Sequence, residues 1–291
     1  MKKVKKFLAC LFAMGICSVC VISTACNLTQ ALPPSFSDVI DTESTPPPSQ
    51  SPEDTIPEQD SNDTQDSTPP TQNPEPSPVQ VTAQYIRCTG DNVNIRSGAG
   101  TEFSVLGSAE QGTMYALIEK KGSWYKTYYR NQVAYIYASY AQVVTLEKSQ
   151  DTDVEQVIDE GYRLIGTPYV YGAIRLHNGN GKLLSGFTVQ KFDCSSLMQY
   201  IFYHGADTML GLHTRAQVLQ GQYVHPNDLQ RGDCIFFTNA ERQYNTGIER
   251  VGHVALYLGN NYILHTASDY ARIEKMTTQR WNYYIEARRF V

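Results

Sequence analysis

Twelve of the chain's 14 prolines fall between Asn27 and Gln80, together with ten acidic residues and no lysine or arginine. A segment of that composition cannot bury enough apolar surface to offset the entropy of ordering it. Residues 27–80 are therefore predicted to be a disordered, self-repelling linker. Any packed core must come from residues 81–291, a length that allows one or two domains.

Ahead of the linker, Lys2, Lys3, Lys5 and Lys6 precede a mostly apolar run from Phe7 to Ile22 that closes on Ser23-Thr24-Ala25-Cys26. This is the anatomy of a secretory signal over residues 1–26, with a single uncleaved membrane anchor as the competing reading. The small residues before Cys26 also resemble a bacterial lipoprotein processing site, although Ser23 stands where an aliphatic residue is usual. Lipid on Cys26 would anchor the chain to the membrane. The expected location is extracellular, at the cell surface or in the wall.

The net charge of −5 divides into −10 on the linker, +4 on the signal lysines and +1 on residues 81–291. A folded part so close to neutral has no field that would draw it to nucleic acid or to an acidic partner. Of seven cysteines, Cys10, Cys17, Cys20 and Cys26 belong to the signal, leaving Cys88, Cys194 and Cys234. An odd remainder argues against a disulfide framework and leaves a thiol free for chemistry. Cys234, in the apolar run Cys234-Ile235-Phe236-Phe237, reads as core filling, and Cys88 has no assigned role.

Residues 81–147 read as short strands with turn punctuation: Val93 to Arg96 alternates, Gly98 and Gly100 break, and Thr113 to Ile118, Trp124 to Tyr129 and Val133 to Tyr137 are β-rich. The pattern predicts a small all-β barrel. Its tyrosines read as β-packing rather than as a ligand shelf. Gly98-Ala99-Gly100 lacks the strand–loop–helix context of a nucleotide loop and reads as a hairpin turn. The blocks Asn92-Val93-Asn94-Ile95-Arg96-Ser97-Gly98, Gly122-Ser123-Trp124-Tyr125-Lys126 and Ala134-Tyr135-Ile136 resemble a bacterial SH3-like domain. That resemblance implies contact with cell-wall peptide or glycan, or docking on the chain's own enzyme.

In residues 150–291, Val154, Val157, Ile158 and Tyr162 recur at helical spacing between Asp153 and Leu164, and Gly166-Thr167-Pro168 ends the run. A second helix is predicted from Asp193, a good N-cap, with Leu197, Met198, Ile201 and Phe202 on one side. Cys194 then sits in its first turn, where unpaired N–H groups and the helix dipole favour thiolate. A buried structural cysteine is the alternative. Beyond residue 204 the pattern turns to β, with strands at 234–238, 253–258 and 262–266. Helices followed by an antiparallel sheet are the order of an α+β domain. Asn180-Gly181-Lys182 does not fit a phosphate loop.

A nucleophilic cysteine needs a base and a group to orient it. His177, His204, His213 and His225 lie in polar or loop surroundings and read as solvated. His253 and His265 fall on adjacent strands among apolar neighbours. With a three-residue loop at Gly259-Asn260-Asn261, Leu258 pairs with Tyr262 and His265 faces Ala255. His253 is then a diagonal neighbour of His265 on the same face, with Cβ atoms roughly 7–8 Å apart or closer. A loop of two or four residues would separate them. On residue types alone, satisfied core histidines stay ahead of a Cys–His–His triad, and a zinc site from the same three residues stands behind both.

Four blocks then bear on the choice: Gly166-Thr167-Pro168-Tyr169-Val170-Tyr171-Gly172, Phe192-Asp193-Cys194-Ser195-Ser196-Leu197, Leu229-Gln230-Arg231-Gly232-Asp233-Cys234-Ile235-Phe236-Phe237, and Gly252-His253-Val254-Ala255-Leu256-Tyr257-Leu258-Gly259. In this order they resemble the NlpC/p60-type cell-wall cysteine peptidases. The resemblance implies a papain-like core that hydrolyses the peptidoglycan stem peptide, between D-glutamate and the following diamino acid, without cofactor or metal. It implies Cys194 as nucleophile, His253 as general base and acid, and His265 as the orienting member. It further implies Tyr169 beside the thiol, and Asp193 and Ser195 at positions that in some members bind the free amino end of the stem. Tyr171 occupies a place often held by Trp, Ala173 replaces a usual Gly, and the gap from Gly172 to Asp193 is long. Thr214 matches a substrate-side segment whose usual Pro and Arg are missing. A wall-binding lipoprotein with a dormant catalytic domain, and an amidase or acyltransferase on the same core, are the alternative functions.

Overall fold

The computed structural model describes residues 80–291. The expected signal, the candidate lipid site Cys26 and residues 27–79 of the expected linker lie outside the described residues.

Eight strands come first: β1 (Thr82–Cys88), β2 (Val93–Arg96), β3 (Val105–Ala109), β4 (Met114–Ala116), β5 (Glu119–Lys121), β6 (Trp124–Tyr129), β7 (Gln132–Tyr137) and β8 (Ala141–Glu147). Alternation sets their faces, since Val93 and Ile95 are buried while Asn94 is exposed, and Ala134 and Ile136 are buried opposite them. Five of these strands form one sheet, in the order β3-β2-β7-β6-β5. The other three, β8-β1-β4, run on into a second sheet.

The remainder builds α1 (Thr152–Arg163), α2 (Cys194–Ala206), α3 (Thr214–Gln217), β9 (Gln222–Val224), β10 (Cys234–Phe237), β11 (His253–Gly259), β12 (Tyr262–Ala267), β13 (Tyr270–Lys275), α4 (Thr278–Asn282) and β14 (Tyr284–Arg289). The larger sheet has nine strands, β8-β1-β4-β13-β12-β11-β10-β14-β9, joined across the two halves by the pair Ile273 and Met114. The fold class is α+β.

Helix α1 starts on Asp151, whose side chain accepts from the Asp153 N–H, and buries Val154, Val157, Ile158 and Tyr162 as their spacing predicts. Helix α2 starts on Asp193 with a capping box: its carboxylate accepts from the Ser196 N–H at 2.8 Å, and Ser196 Oγ accepts from the Asp193 N–H at 2.9 Å. The two helices approach so closely that a Cβ on Gly205 would lie 2.4 Å from Val157 Cα, so no other residue fits there without moving a backbone. Leu197, Met198, Ile201 and Phe202 are fully buried, and α2 packs on β11 and β12. Burial of side chains of this size stabilises the packing by about 1.5–3 kcal/mol each.

The β11–β12 hairpin corrects one expectation. Leu256 pairs with Leu264 and Tyr257 with Ile263, the predicted register, but a bulge then pairs Tyr262 with Gly259 instead of Leu258. The turn is the two residues Asn260 and Asn261, at φ 49° and 65°. Asparagine tolerates the left-handed region, and the extra residue of the bulge restores the parity that a two-residue loop would have lost.

Arg231 ties the first strands to the second part of the fold. Its guanidinium donates to Glu155 Oε1 at 2.5 Å and Oε2 at 3.0 Å, to the Tyr85 and Tyr162 hydroxyls at 2.9 Å each, and to the Leu258 carbonyl at 3.0 Å. Tyr85 and Tyr162 also share a hydrogen bond through their hydroxyls. All five guanidinium donors are used, so the buried charge is fully matched.

Candidate active site

The capping box fixes Cys194 as the first residue of α2, with only 8% of its surface exposed. The sequence predicts a thiolate here, and the structure corrects that. Burial raises the thiol to about 12, and the adjacent Asp193 carboxylate pushes the same way, offset in part by hydrogen bonds from the Val254 and Ser195 N–H groups and by Arg175. The carboxylate that starts the helix also opposes the positive end of the dipole expected to activate the sulfur. This balance disfavours the thiolate and calls for a base to take the proton.

Val254 follows His253 on β11, so the strand that supplies an N–H to the sulfur also carries the imidazole. His253 and Cys194 line one cavity of about 380 Å³, with Tyr169, Asn239 and Arg280 also on its wall. His253 Nε2 lies 3.0 Å from His265 Nδ1, so the predicted diagonal pair makes a direct hydrogen bond. Burial lowers both histidines below the usual 6.5; the neighbouring ring and Arg280 lower His253 further, while Glu274 partly offsets the shift of His265. The far nitrogen of His265, Nε2, is 3.2 Å from Glu274 Oε1. Glu274 is in turn gripped by Arg280, through Nε at 2.8 Å and a short contact from Nη2. Burial alone would raise Glu274, but hydrogen bonding and charge from His265 and Arg280 bring it down to about 2. The thiol shares a cavity with His253, and behind His253 stand His265 and a fixed carboxylate, residue types suited to nucleophilic attack with proton transfer.

Residues 166–289 match the family model described as "NlpC/P60 family", and residues 91–142 the one described as "Bacterial SH3 domain". The chain carries an NlpC/P60 domain behind a bacterial SH3 domain. It is 34% identical over 111 residues to peptidoglycan endopeptidase RipA of Mycolicibacterium smegmatis, covering 38% of this chain and 20% of that protein. It is 29% identical over 126 residues to gamma-DL-glutamyl hydrolase of Bacillus subtilis, covering 43% of this chain and 26% of the relative. It is 28% identical over 165 residues to gamma-D-glutamyl-L-lysine dipeptidyl-peptidase of the same organism, covering 57% and 48%. The chain thus spans less than half the length of each of these relatives.

Within the NlpC/P60 domain the remaining predicted residues divide. Tyr169 lines the thiol cavity, its phenol raised to about 12 by burial and then by Cys194 and Asp193. Tyr169, Tyr171, Asp193, Ser195 and Thr214 line a second cavity of about 470 Å³ that shares Cys194 with the first. Tyr171 is 85% exposed at its rim, whereas Asp193, Ser195 and Thr214 are buried. Asp193 Oδ1 is already engaged: Arg175 reaches it at 2.5 Å, and the Ser196 N–H and Ser195 Oγ donate to it at 2.8 and 3.0 Å. Against the upward pull of burial, these bonds hold the carboxyl below its ordinary range.

His177, expected in solvent, is buried: its Nε2 faces the Leu210 carbonyl at 2.8 Å and its Nδ1 accepts from the Gly179 N–H at 3.0 Å. The long Gly172–Asp193 loop folds around it. Cys88 and Cys234 are buried and unbridged. Within residues 81–147, Tyr85, Tyr115 and Tyr129 are packed inside as expected, but Tyr137 and Tyr140 are exposed beside a cleft of about 510 Å³ that Trp124 also lines. Those two belong to a surface groove and not to the core.

Sequence reasoning missed Glu274, Arg280 and Arg175. Glu274 had a signal. Strand β13 pairs Ile263 with Glu274 and His265 with Arg272 across the Ser268-Asp269 turn, so hairpin geometry applied once more puts Glu274 diagonal to His265. Arg280 and Arg175 follow from no register or spacing.

Proposed function

We propose that this chain is a cysteine peptidase of the bacterial cell wall that hydrolyses peptidoglycan stem peptides between D-glutamate and the following diamino acid. The observation that carries the reading is the direct His253–His265 hydrogen bond on the wall of the Cys194 cavity. With Nε2 of His253 engaged, Nδ1 is the ring nitrogen left to take the thiol proton. The sulfur attacks the scissile carbonyl, and backbone N–H groups at the start of α2 steady the oxyanion. His253 returns the proton to the leaving amine, then activates the water that clears the thioester. The three relatives above, a gamma-DL-glutamyl hydrolase, a peptidoglycan endopeptidase and a gamma-D-glutamyl-L-lysine dipeptidyl-peptidase, support this chemistry.

The same reading has the chain exported, anchored by lipid on Cys26 and held at the wall by the SH3 domain, whose cleft beside Trp124, Tyr137 and Tyr140 offers aromatic faces and edges to peptide or sugar. Digestion of purified peptidoglycan, with new termini identified by mass spectrometry, tests the core of it. New D-glutamyl ends support the peptidase. Absence of fragments with retained wall binding would make the protein a dormant binding lipoprotein, and cleavage at the sugar–peptide junction an amidase. Release of a Cys26→Ser chain from the membrane fraction tests the anchor.

A further inference from the structure

The two imidazoles can share their protons in only two ways. The gap between His253 Nε2 and His265 Nδ1 is 3.0 Å and holds one proton. If that proton is on His253, its Nδ1 faces the cavity as a lone pair and can act as base. If it is on His265, His253 carries its remaining proton on Nδ1, and the thiol meets a donor. The far side of His265 selects between them. A carboxylate at Nε2 can only accept, so it requires Nε2–H and leaves Nδ1 as acceptor. A guanidinium at Nε2 can only donate and requires the opposite. Both are present: Glu274 Oε1 at 3.2 Å and Arg280 Nη2 at 3.4 Å.

We propose that Glu274, held by Arg280, is a positioning residue that sets the tautomers of His265 and His253, so that His253 presents an unprotonated Nδ1 to Cys194. Glu274 wins the contest because the carboxylate is the closer group, and because Arg280 gives Nε and one of its two Nη2 hydrogens to Glu274 Oε1, leaving only the other for His265 at 3.4 Å. Arg272 Nη1 stands 4.0 Å from Glu274 Oε2 and 3.3 Å from Glu110 of the SH3 domain, while its Nη2 pairs with Asp269. The carboxylate is therefore braced from two sides and keeps its acceptor oxygen on His265. This assignment rests on the proposed Cys194–His253–His265 chemistry.

The test uses the full chain labelled with 15N-histidine, read by long-range proton–nitrogen correlation at neutral pH, with Cys194 alkylation by iodoacetamide and cleavage of purified peptidoglycan as functional measures. The expected wild-type spectrum has His253 protonated at Nε2 alone. Protonation at Nδ1 would overturn the proposal. Glu274→Ala leaves Arg280 as the sole partner of His265 and should invert the tautomers, slowing alkylation and cutting cleavage by at least about 100-fold, the order seen when an orienting acceptor is lost. Glu274→Gln keeps an acceptor oxygen and should stay within about tenfold of wild type. Removing Arg280 as well, in Glu274→Ala/Arg280→Ala, takes away the wrong donor and should recover at least about tenfold in alkylation over the single variant. A double variant slower than the single one, with wild-type tautomers in both, sinks the idea. If Glu274→Ala does not fold, the wild-type spectrum and Glu274→Gln decide. A wild-type chain that cleaves no peptidoglycan would refute the proposed function, while spectrum and alkylation would still judge the tautomer assignment.

Discussion

Two of the arginine–glutamate pairs, Arg231–Glu155 and Arg280–Glu274, do opposite things. Around Arg231 every donor has an acceptor: Glu155 takes two hydrogen bonds, two tyrosine hydroxyls and a carbonyl take the rest, and no polar group is left over. Around Glu274 the pairing with Arg280 is equally tight, but the line continues through His265 and His253 and ends on a nitrogen with no hydrogen-bond partner among the described residues. A saturated network can only hold elements together. On the proposed tautomers, one lone pair left at the edge of a cavity turns the same kind of network into a base.

The contrast can be broken most severely at the open end. Cys194→Ala should abolish peptidoglycan cleavage, by roughly 10^4-fold or more, while thermal unfolding stays near wild type. Undiminished turnover would remove Cys194 from the chemistry. At the closed end the expected effect is on stability alone. Arg231→Met takes the cation away from the buried Glu155, leaving it only the Ser149 N–H, and should cost about 3–5 kcal/mol in urea unfolding. A loss below about 1 kcal/mol would mean that the network contributes little net stability.

Acid should distinguish the two networks more gently. Both histidines are held below 6.5 in the folded state, so below that pH the unfolded chain binds more protons and stability falls. Glu274 adds a second loss as pH drops from 4.5 towards about 2, since its carboxylate is favoured only in the fold. Urea midpoints between about pH 7.5 and 5.5 should decline for wild type and stay flatter in a His253→Gln/His265→Gln chain. Equal slopes would show that the imidazoles are not the groups responsible. The smallest effect is expected for Tyr162→Phe, which removes one acceptor from Arg231 and should cost about 1 kcal/mol by the same urea measurement. No change at all would mean that solvent or a neighbour replaces the hydroxyl.

Much of this was legible before any coordinates. Periodicity gave α1 and α2 within a residue or two of their ends because their buried faces repeat at helical spacing, and Asp193 marked the start of α2 because a carboxylate at that point caps free N–H groups. The β11–β12 register was readable from turn residues, although the loop has two residues and a bulge makes up the difference. The thiol's environment was misread: local reasoning counted the helix dipole and left out the desolvation and the Asp193 charge that outweigh it.

The sequence by itself determined which atoms are available for chemistry, because Cys194, His253 and His265 each lie on an element whose pattern is local. Tertiary structure alone decided what each of those atoms faces. Arg280 reaches Glu274 across six residues and a strand end, Arg175 closes over Asp193 from a long loop, and Arg231 reaches Tyr85 over 146 positions. Side-chain partnerships of that kind depend on where whole elements pack, and a periodic pattern carries the direction of a face but not the identity of what comes to lie against it.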